Sequence, residues 1–236
     1  DRMIDPRVRL VSVTWFPANG GLINDAAAVG KVANRHGIPY FVDAGQALGQ
    51  IPVSVREIGC DVLKGAARKF LRGPRGTALL YVRKSMQNRM VPAYLDVMSA
   101  PWKDDGPQVR NDARRFESAE HSVALHLGLG EALALARGIG VDAIRARIEP
   151  MAVELRARLG AIPGVTLCDL GDGPRSGLVS FNIHRLGAQT VRERLTADHK
   201  INVGANGVAY TPLDMTARRL DGIVRAGRDL TVFCQD

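Results

Sequence analysis

Phe41-Val42-Asp43-Ala44-Gly45-Gln46 and, further on, Arg68-Lys69-Phe70-Leu71-Arg72-Gly73-Pro74-Arg75-Gly76-Thr77 are the stretches on which the fold turns. In the first, the strand-forming run that begins at Pro39 leads straight into an acid. Gln46 then places an amide just past that acid. In the second, Lys69 stands in a basic loop punctuated by glycine and proline, directly ahead of the apolar run Ala78-Leu79-Leu80-Tyr81-Val82. A carboxylate at the end of a strand lies where open α/β sheets bind their ligands.

On either side the text alternates between strand-like and helix-like patterns. Residues 8–14 are apolar and β-branched, as in a buried strand. Asn24 or Asp25 caps a helix running to about Arg35, with Ala26, Val29, Val32 and Ala33 at helical spacing, and Gly37 stops it. Further strands are expected at 62–63 and 77–82. This order predicts a mostly parallel sheet with helices on both faces. A polar loop at 99–111 separates it from two helices, at 119–136 and 141–159. After Gly164 the pattern becomes compact: strands at 165–168, 178–183 and 201–203, and a helix at 189–197. A second, smaller α/β domain is therefore placed from about residue 138 onward, giving domains of 1–137 and 138–236.

Carboxylate, amide and lysine, met in this order along the chain, form the set that a pyridoxal phosphate (PLP) site needs. The lysine holds the aldehyde as a Schiff base, the carboxylate keeps the pyridine nitrogen protonated, and a donor binds the phenolic oxygen. Taken singly, each residue has a plainer use: a solvated lysine, a helix-capping acid, a polar residue opening a helix. The longer text carries a resemblance that joins them. Leu10-Val11-Ser12-Val13-Thr14, Gly20-Gly21-Leu22-Ile23, the run from His36 to Gln46, Gly49-Gln50-Ile51-Pro52-Val53, Gly59-Cys60-Asp61-Val62, Arg68-Lys69 and Gly73-Pro74-Arg75-Gly76 resemble the class V aminotransferases. That family of PLP enzymes includes cysteine desulfurases, selenocysteine lyases, other C–S lyases and an epimerase. Weaker patches follow at Arg115-Phe116-Glu117, Leu213-Asp214-Met215 and Val224-Arg225-Ala226.

The resemblance implies the aspartate aminotransferase-like fold of PLP-dependent transferases, with part of the large domain and a small carboxyl-terminal domain. It implies Lys69 as the catalytic lysine and Asp43 as the partner of the pyridine nitrogen. It implies Gln46 as the donor to the phenolic oxygen and Arg225 as the grip on the substrate α-carboxylate. Asn19 stands near the place of a cofactor-holding asparagine, one residue out of register. Relatives carry Ser or Thr where this chain has Ala66, and often His where it has Arg68, so Arg68 is expected to pair with the phosphate instead. Glu117 is expected near a dimer interface, and His121 as a capping or solvated residue. Relatives also carry a segment ahead of this one, with a phosphate-binding turn and a stacking ring, so the chain is read as a fragment lacking the front of its large domain. Desulfurases that pass sulfur onward use a cysteine ahead of the late arginine; residues 203–221 contain none, and Cys168 and Cys234 do not match the position.

Bulk composition agrees with an enzyme. The 236 residues are 46% hydrophobic, enough for a sizeable core. The net charge of +8 is spread among acids, and aromatics make up only 5%, so anion binding is favoured over a specific nucleic-acid surface. Three scattered cysteines argue against disulfides or a metal site and for a reducing cytoplasm. No apolar run is long enough for a membrane helix. The expectation is a cytoplasmic, homodimeric, PLP-dependent enzyme acting at the α-carbon of an amino acid, as a C–S lyase or aminotransferase. An epimerase, and a non-catalytic remnant with a basic surface, are the alternatives.

Overall fold

The structure, a computed structural model, describes residues 1–227. The chain divides into two compact units. The first comprises Asp1–Thr14, Asp25–Leu48 and Val53–Gly138. The second comprises Trp15–Asn24, Gly49–Pro52 and the described residues from Ile139 onward. Nothing in the local patterning signals that two short pieces of the front half belong with the back half. Trp15–Asn24 is fixed there by backbone pairing that no local pattern announces. The Ile23 amide donates to Pro174 O, the Ser176 amide to Gly21 O and the Leu170 amide to Gly20 O, at 2.9, 2.7 and 2.8 Å.

In the first unit, β1 (Val11–Thr14), β2 (Tyr40–Asp43), β3 (Val62–Ala66) and β4 (Ala78–Val82) form one sheet in that order. The first two pairings are parallel and the last is antiparallel. α1 (Ala26–Arg35) crosses between β1 and β2, and the short α2 (Val55–Ile58) lies between β2 and β3. Asp25 caps α1 through a bond from the Ala28 amide. α1 is held close by Tyr40, whose buried hydroxyl donates to Ala26 O at 2.8 Å. Gly30 permits the approach of α1 to α2, because a Cβ there would stand 2.0 Å from Ile58 O.

β2 alternates cleanly: Tyr40 and Val42 are buried, Phe41 and Asp43 half-buried. Phe41 packs with Val62, Val82 and Met86 on the face away from Tyr40. The short α3 (Lys84–Gln87), a two-residue hairpin of β5 (Trp102–Lys103) and β6 (Gly106–Pro107), and α4 (Val123–Ile139) complete the unit. The expected polar loop at 99–111 thus contains a small ladder, and its Ser99 is buried.

The second unit has a sheet of order β7 (Val165–Leu167), β8 (Leu178–Ile183), β10 (Gly222–Gly227), β9 (Gly204–Gly207), antiparallel throughout. α5 (Val141–Gly160) and α6 (Ala188–His199) supply Leu159, Val191 and Leu195, which pack with Phe181 and Val224. The short α7 (Pro212–Ala217) supplies Met215, which packs with Cys168 and Ile223. Alternation along β10 therefore assigns Val224 to the α5–α6 cluster and Ile223 to the α7 cluster, with Arg225 on Ile223's face. The strand expected at 201–203 lies instead at Gly204–Gly207. Pairing with β10 outweighs the poor strand propensity of Gly-Ala-Asn-Gly.

Candidate active site

Parallel pairing of β2 and β3 sets Asp43 beside Lys64 in register, on the same face of the sheet. Their side chains meet: Lys64 Nζ lies 2.7 Å from Asp43 Oδ2. The other oxygen, Oδ1, accepts the Gly45 amide at 2.9 Å, which bends the chain sharply after the strand. The Ala44 amide ties this bend back to β3 through Lys64 O at 2.8 Å. Bonds from the Ala47 and Leu48 amides to Ala44 O then start a helical turn. Gln46 lies inside that turn, 7% exposed.

Lys69 reaches the same place from the loop after β3. A Cβ built on Gly45 would stand 3.0 Å from Asp43 Oδ1 and 3.2 Å from Lys69 Nζ. The amine and the carboxylate are therefore no farther apart than the sum of those two distances. Any side chain at position 45 would fill the space they share.

The lysine loop is rigid for identifiable reasons. The Arg72 amide closes onto Lys69 O and the Gly73 amide onto Ala67 O, both at 2.8 Å. Thr77 Oγ1 donates to Pro74 O at 2.7 Å. Ala67 and Leu71 are buried against Leu129 of α4, with Leu133 and Leu79 at the margin. Ala66 is half-buried and offers no donor, and Arg68 is exposed.

Asn19 and Arg225 belong to the second unit. Asn19 is 1% exposed, and its amide is engaged at both ends. Asn206 Nδ2 donates to Asn19 Oδ1 at 2.6 Å, and Asn19 Nδ2 donates to Thr211 Oγ1 at 2.8 Å. Through these two bonds Asn19, expected to touch the cofactor, pins the loop 15–24 onto β9 and the turn before α7. Arg225 stands opposite Ser180 on β8 and donates from Nη1 to Ala18 O at 2.7 Å. Its Nε is buried without an acceptor. Burial pulls the guanidinium below its ordinary pKa, opposed by Tyr210. Gly204 lies directly under that guanidinium, where a Cβ would stand 3.4 Å from Nε.

The other reactive side chains are quiet. Cys60 and Cys168 are buried free thiols, and burial raises the pKa of both. Cys234 lies outside the described residues. Arg115 is buried and donates to Asn88 Oδ1 at 3.0 Å, while Glu117 ends a short 3₁₀ turn and is exposed. Exposed His121 places Nδ1 3.2 Å from Ser118 O. Among the described residues no cluster of His, Cys, Asp and Glu is arranged to hold a metal, and no helix is long and apolar enough to cross a membrane. Lys64 is the site residue that the sequence reading passed over. The strand period offered the signal, since it places position 64 on the same face as Val62 and level with Asp43.

The chain matches the family described as Aminotransferase class-V over residues 1–232. It is 31% identical over 230 residues to a probable cysteine desulfurase of Methanothermobacter thermautotrophicus, covering 94% of this chain and 56% of that protein. It is 31% identical over 165 residues to the uncharacterized aminotransferase YcbU of Bacillus subtilis, covering 70% and 44%. Among solved structures, the apo cysteine desulfurase of Thermococcus onnurineus NA1 superposes with a TM-score of 0.81 at 26% identity, covering 93% of this chain and 55% of that one. The chain spans about half the length of the relatives it matches.

Proposed function

This chain belongs to the class V aminotransferase family, and we propose that it forms the lysine-bearing part of a PLP-dependent enzyme that acts at the α-carbon of an amino acid. The observation that carries this reading is the convergence of Asp43 Oδ1 and Lys69 Nζ on Gly45. An amine and a carboxylate close to one another, with no side chain between them and a buried amide in the turn that follows the acid, suit the aldehyde, the ring nitrogen and the phenolic oxygen of that cofactor in turn. When bound, PLP supplies a carbonyl that captures amines and a ring that draws electrons from the α-carbon.

The chain's own groups have separable tasks. The Lys69 amine would hold the cofactor's carbonyl carbon, and when released it could take or return the α-proton at Nζ. Such positioned proton transfer is worth about 10²–10⁴ in rate. The Asp43 carboxylate would accept a hydrogen bond from the ring N–H, and the Gln46 amide would donate to the ring oxygen. Ala66 has no donor, which leaves Arg68 as the candidate phosphate partner on this loop. Arg225 matches the family's late arginine and is the candidate grip on the substrate carboxylate, a task suited to a planar guanidinium.

Two branches fit: C–S bond cleavage, as the names of the relatives suggest, and amino transfer. Residues 203–221 hold no cysteine, and both described cysteines are buried with raised pKa. Neither described cysteine is therefore placed to take sulfur from a substrate. The whole enzyme is proposed to be a cytoplasmic homodimer, as its relatives' architecture implies.

The test uses the whole protein with added PLP. The wild-type chain should turn yellow, and Lys69→Ala should lose that absorption. Incubation with cysteine or selenocysteine should release sulfide or selenide if the lyase branch holds. Keto acid and pyridoxamine phosphate would instead assign amino transfer. An unchanged spectrum in Lys69→Ala would remove the lysine from its role.

A further inference from the structure

Among the groups of this chain that hold Asp43 is a second lysine. Lys64 Nζ sits 2.7 Å from Oδ2, and the Gly45 amide sits 2.9 Å from Oδ1. The pair is built into the sheet: β2 and β3 are parallel, Asp43 and Lys64 are direct neighbours, and both project to one face. Lys64 is 41% exposed and Asp43 27%, so the contact is partly shielded from water. A carboxylate offers about four acceptor positions on its two oxygens. Lys64 and Gly45 each occupy one of them, and a ring N–H would take another. It then shares its acceptor with an ammonium.

We propose that Lys64 is a positioning residue that acts through Asp43 to weaken the hold of the carboxylate on the ring-nitrogen proton of PLP. The inference rests on the cofactor reading given above. Its physical basis is competition. A carboxylate whose charge is shared with an ammonium is a poorer acceptor for a second cationic donor, and the ammonium also repels a positively charged ring. The ring nitrogen of the bound cofactor is then less fully protonated than it would be beside Asp43 alone. A ring held in that state draws electrons less strongly from the α-carbon. This disfavours amino transfer, which needs a long-lived electron store in the ring, relative to elimination, in which the electrons leave with the β-substituent.

The experiment compares wild type, Lys64→Met and Lys64→Arg, each as the whole protein loaded with PLP labelled with ¹⁵N in the ring. Methionine keeps much of the length without the charge, and arginine keeps the charge. The ¹⁵N signal of the ring nitrogen should move toward its protonated position in Lys64→Met and stay at the wild-type position in Lys64→Arg. Loss of packing alone does not produce that pattern, because arginine disturbs the packing too. If Lys64→Met fails to load, Lys64→Gln takes its place with the same expected shift. A ring signal unchanged between wild type and the uncharged variants overturns the inference while leaving the cofactor reading intact. A wild-type protein that takes up no PLP overturns both.

Discussion

The space above Gly45 is the sharpest constraint at the scale of single residues. Adding one methyl there brings carbon to 3.0 Å from Asp43 Oδ1 and 3.2 Å from Lys69 Nζ, closer than ordinary packing allows. Overfilling a packed site costs about 1–3 kcal/mol. If the strain is relieved by displacing Lys69, Gly45→Ala should weaken PLP binding by about ten- to a hundredfold. Secondary structure by circular dichroism should be unchanged. Titrating the cofactor into wild type and variant measures this directly, and equal affinities would show that the lysine and the acid have room to spare. Neighbouring residues differ in how legible they were. The separation of Asp43, Gln46 and Lys69 could be read from the sequence because each side chain has a distinctive chemistry. Asn19 could not, because an amide looks alike in a ligand contact and in a buried pin. Its partners Asn206 and Thr211 are both remote in sequence and are brought to it only by the fold.

Among the elements, one carboxylate ties the segment ahead of β5 to the segment ahead of α4. Asp96 accepts backbone amides from Ser99, Ala119 and Met98, and the first two lower its pKa most, to about 2. A folded pKa below the unfolded value means that this stabilisation is fully present above the ordinary carboxylate range. It fades as pH falls toward about 2. Amide exchange at Met98, Ser99 and Ala119 should therefore accelerate through that acid window more than exchange in β2 and β3. In Asp96→Asn it should be fast already at neutral pH, with little further acid dependence. Equal acid sensitivity in wild type and variant would remove Asp96 from this role. The elements that were legible share a cause. β2, β8 and α1 carry their own signals: β-branched and aromatic runs, and the Asp25 cap. Strand β9, at Gly204–Gly207, carries none, and only its ladder with β10 defines it. The antiparallel course of the second sheet was likewise hidden, since it is set by which strands pair rather than by what each strand contains.

At the scale of the whole molecule, the two units give the cofactor reading a consequence that composition could not supply. Lys69, Asp43, Gln46 and Lys64 all belong to the first unit, whereas Asn19 and Arg225 belong to the second. A ligand that binds only the folded form stabilises it by about 2.7 kcal/mol when present at a hundred times its Kd. If the units open independently, the stabilisation from groups on the first unit falls on that unit. PLP should then slow amide exchange in Tyr40–Asp43 and Val62–Ala66 by about a hundredfold at that concentration, provided exchange there proceeds through opening of the unit. Exchange in Leu178–Ile183 and Gly222–Gly227 should change much less. In Lys69→Ala the difference between the sheets should shrink, because the link to the carbonyl is gone while the weaker polar contacts remain. Equal slowing of both sheets would mean that they open together as one cooperative body. No slowing in either would favour a remnant whose charge of +8 binds anions without PLP chemistry. Salt separates that case further: contacts made only by surface charge weaken steeply as ionic strength rises, whereas a covalently held cofactor retains its protection at high salt.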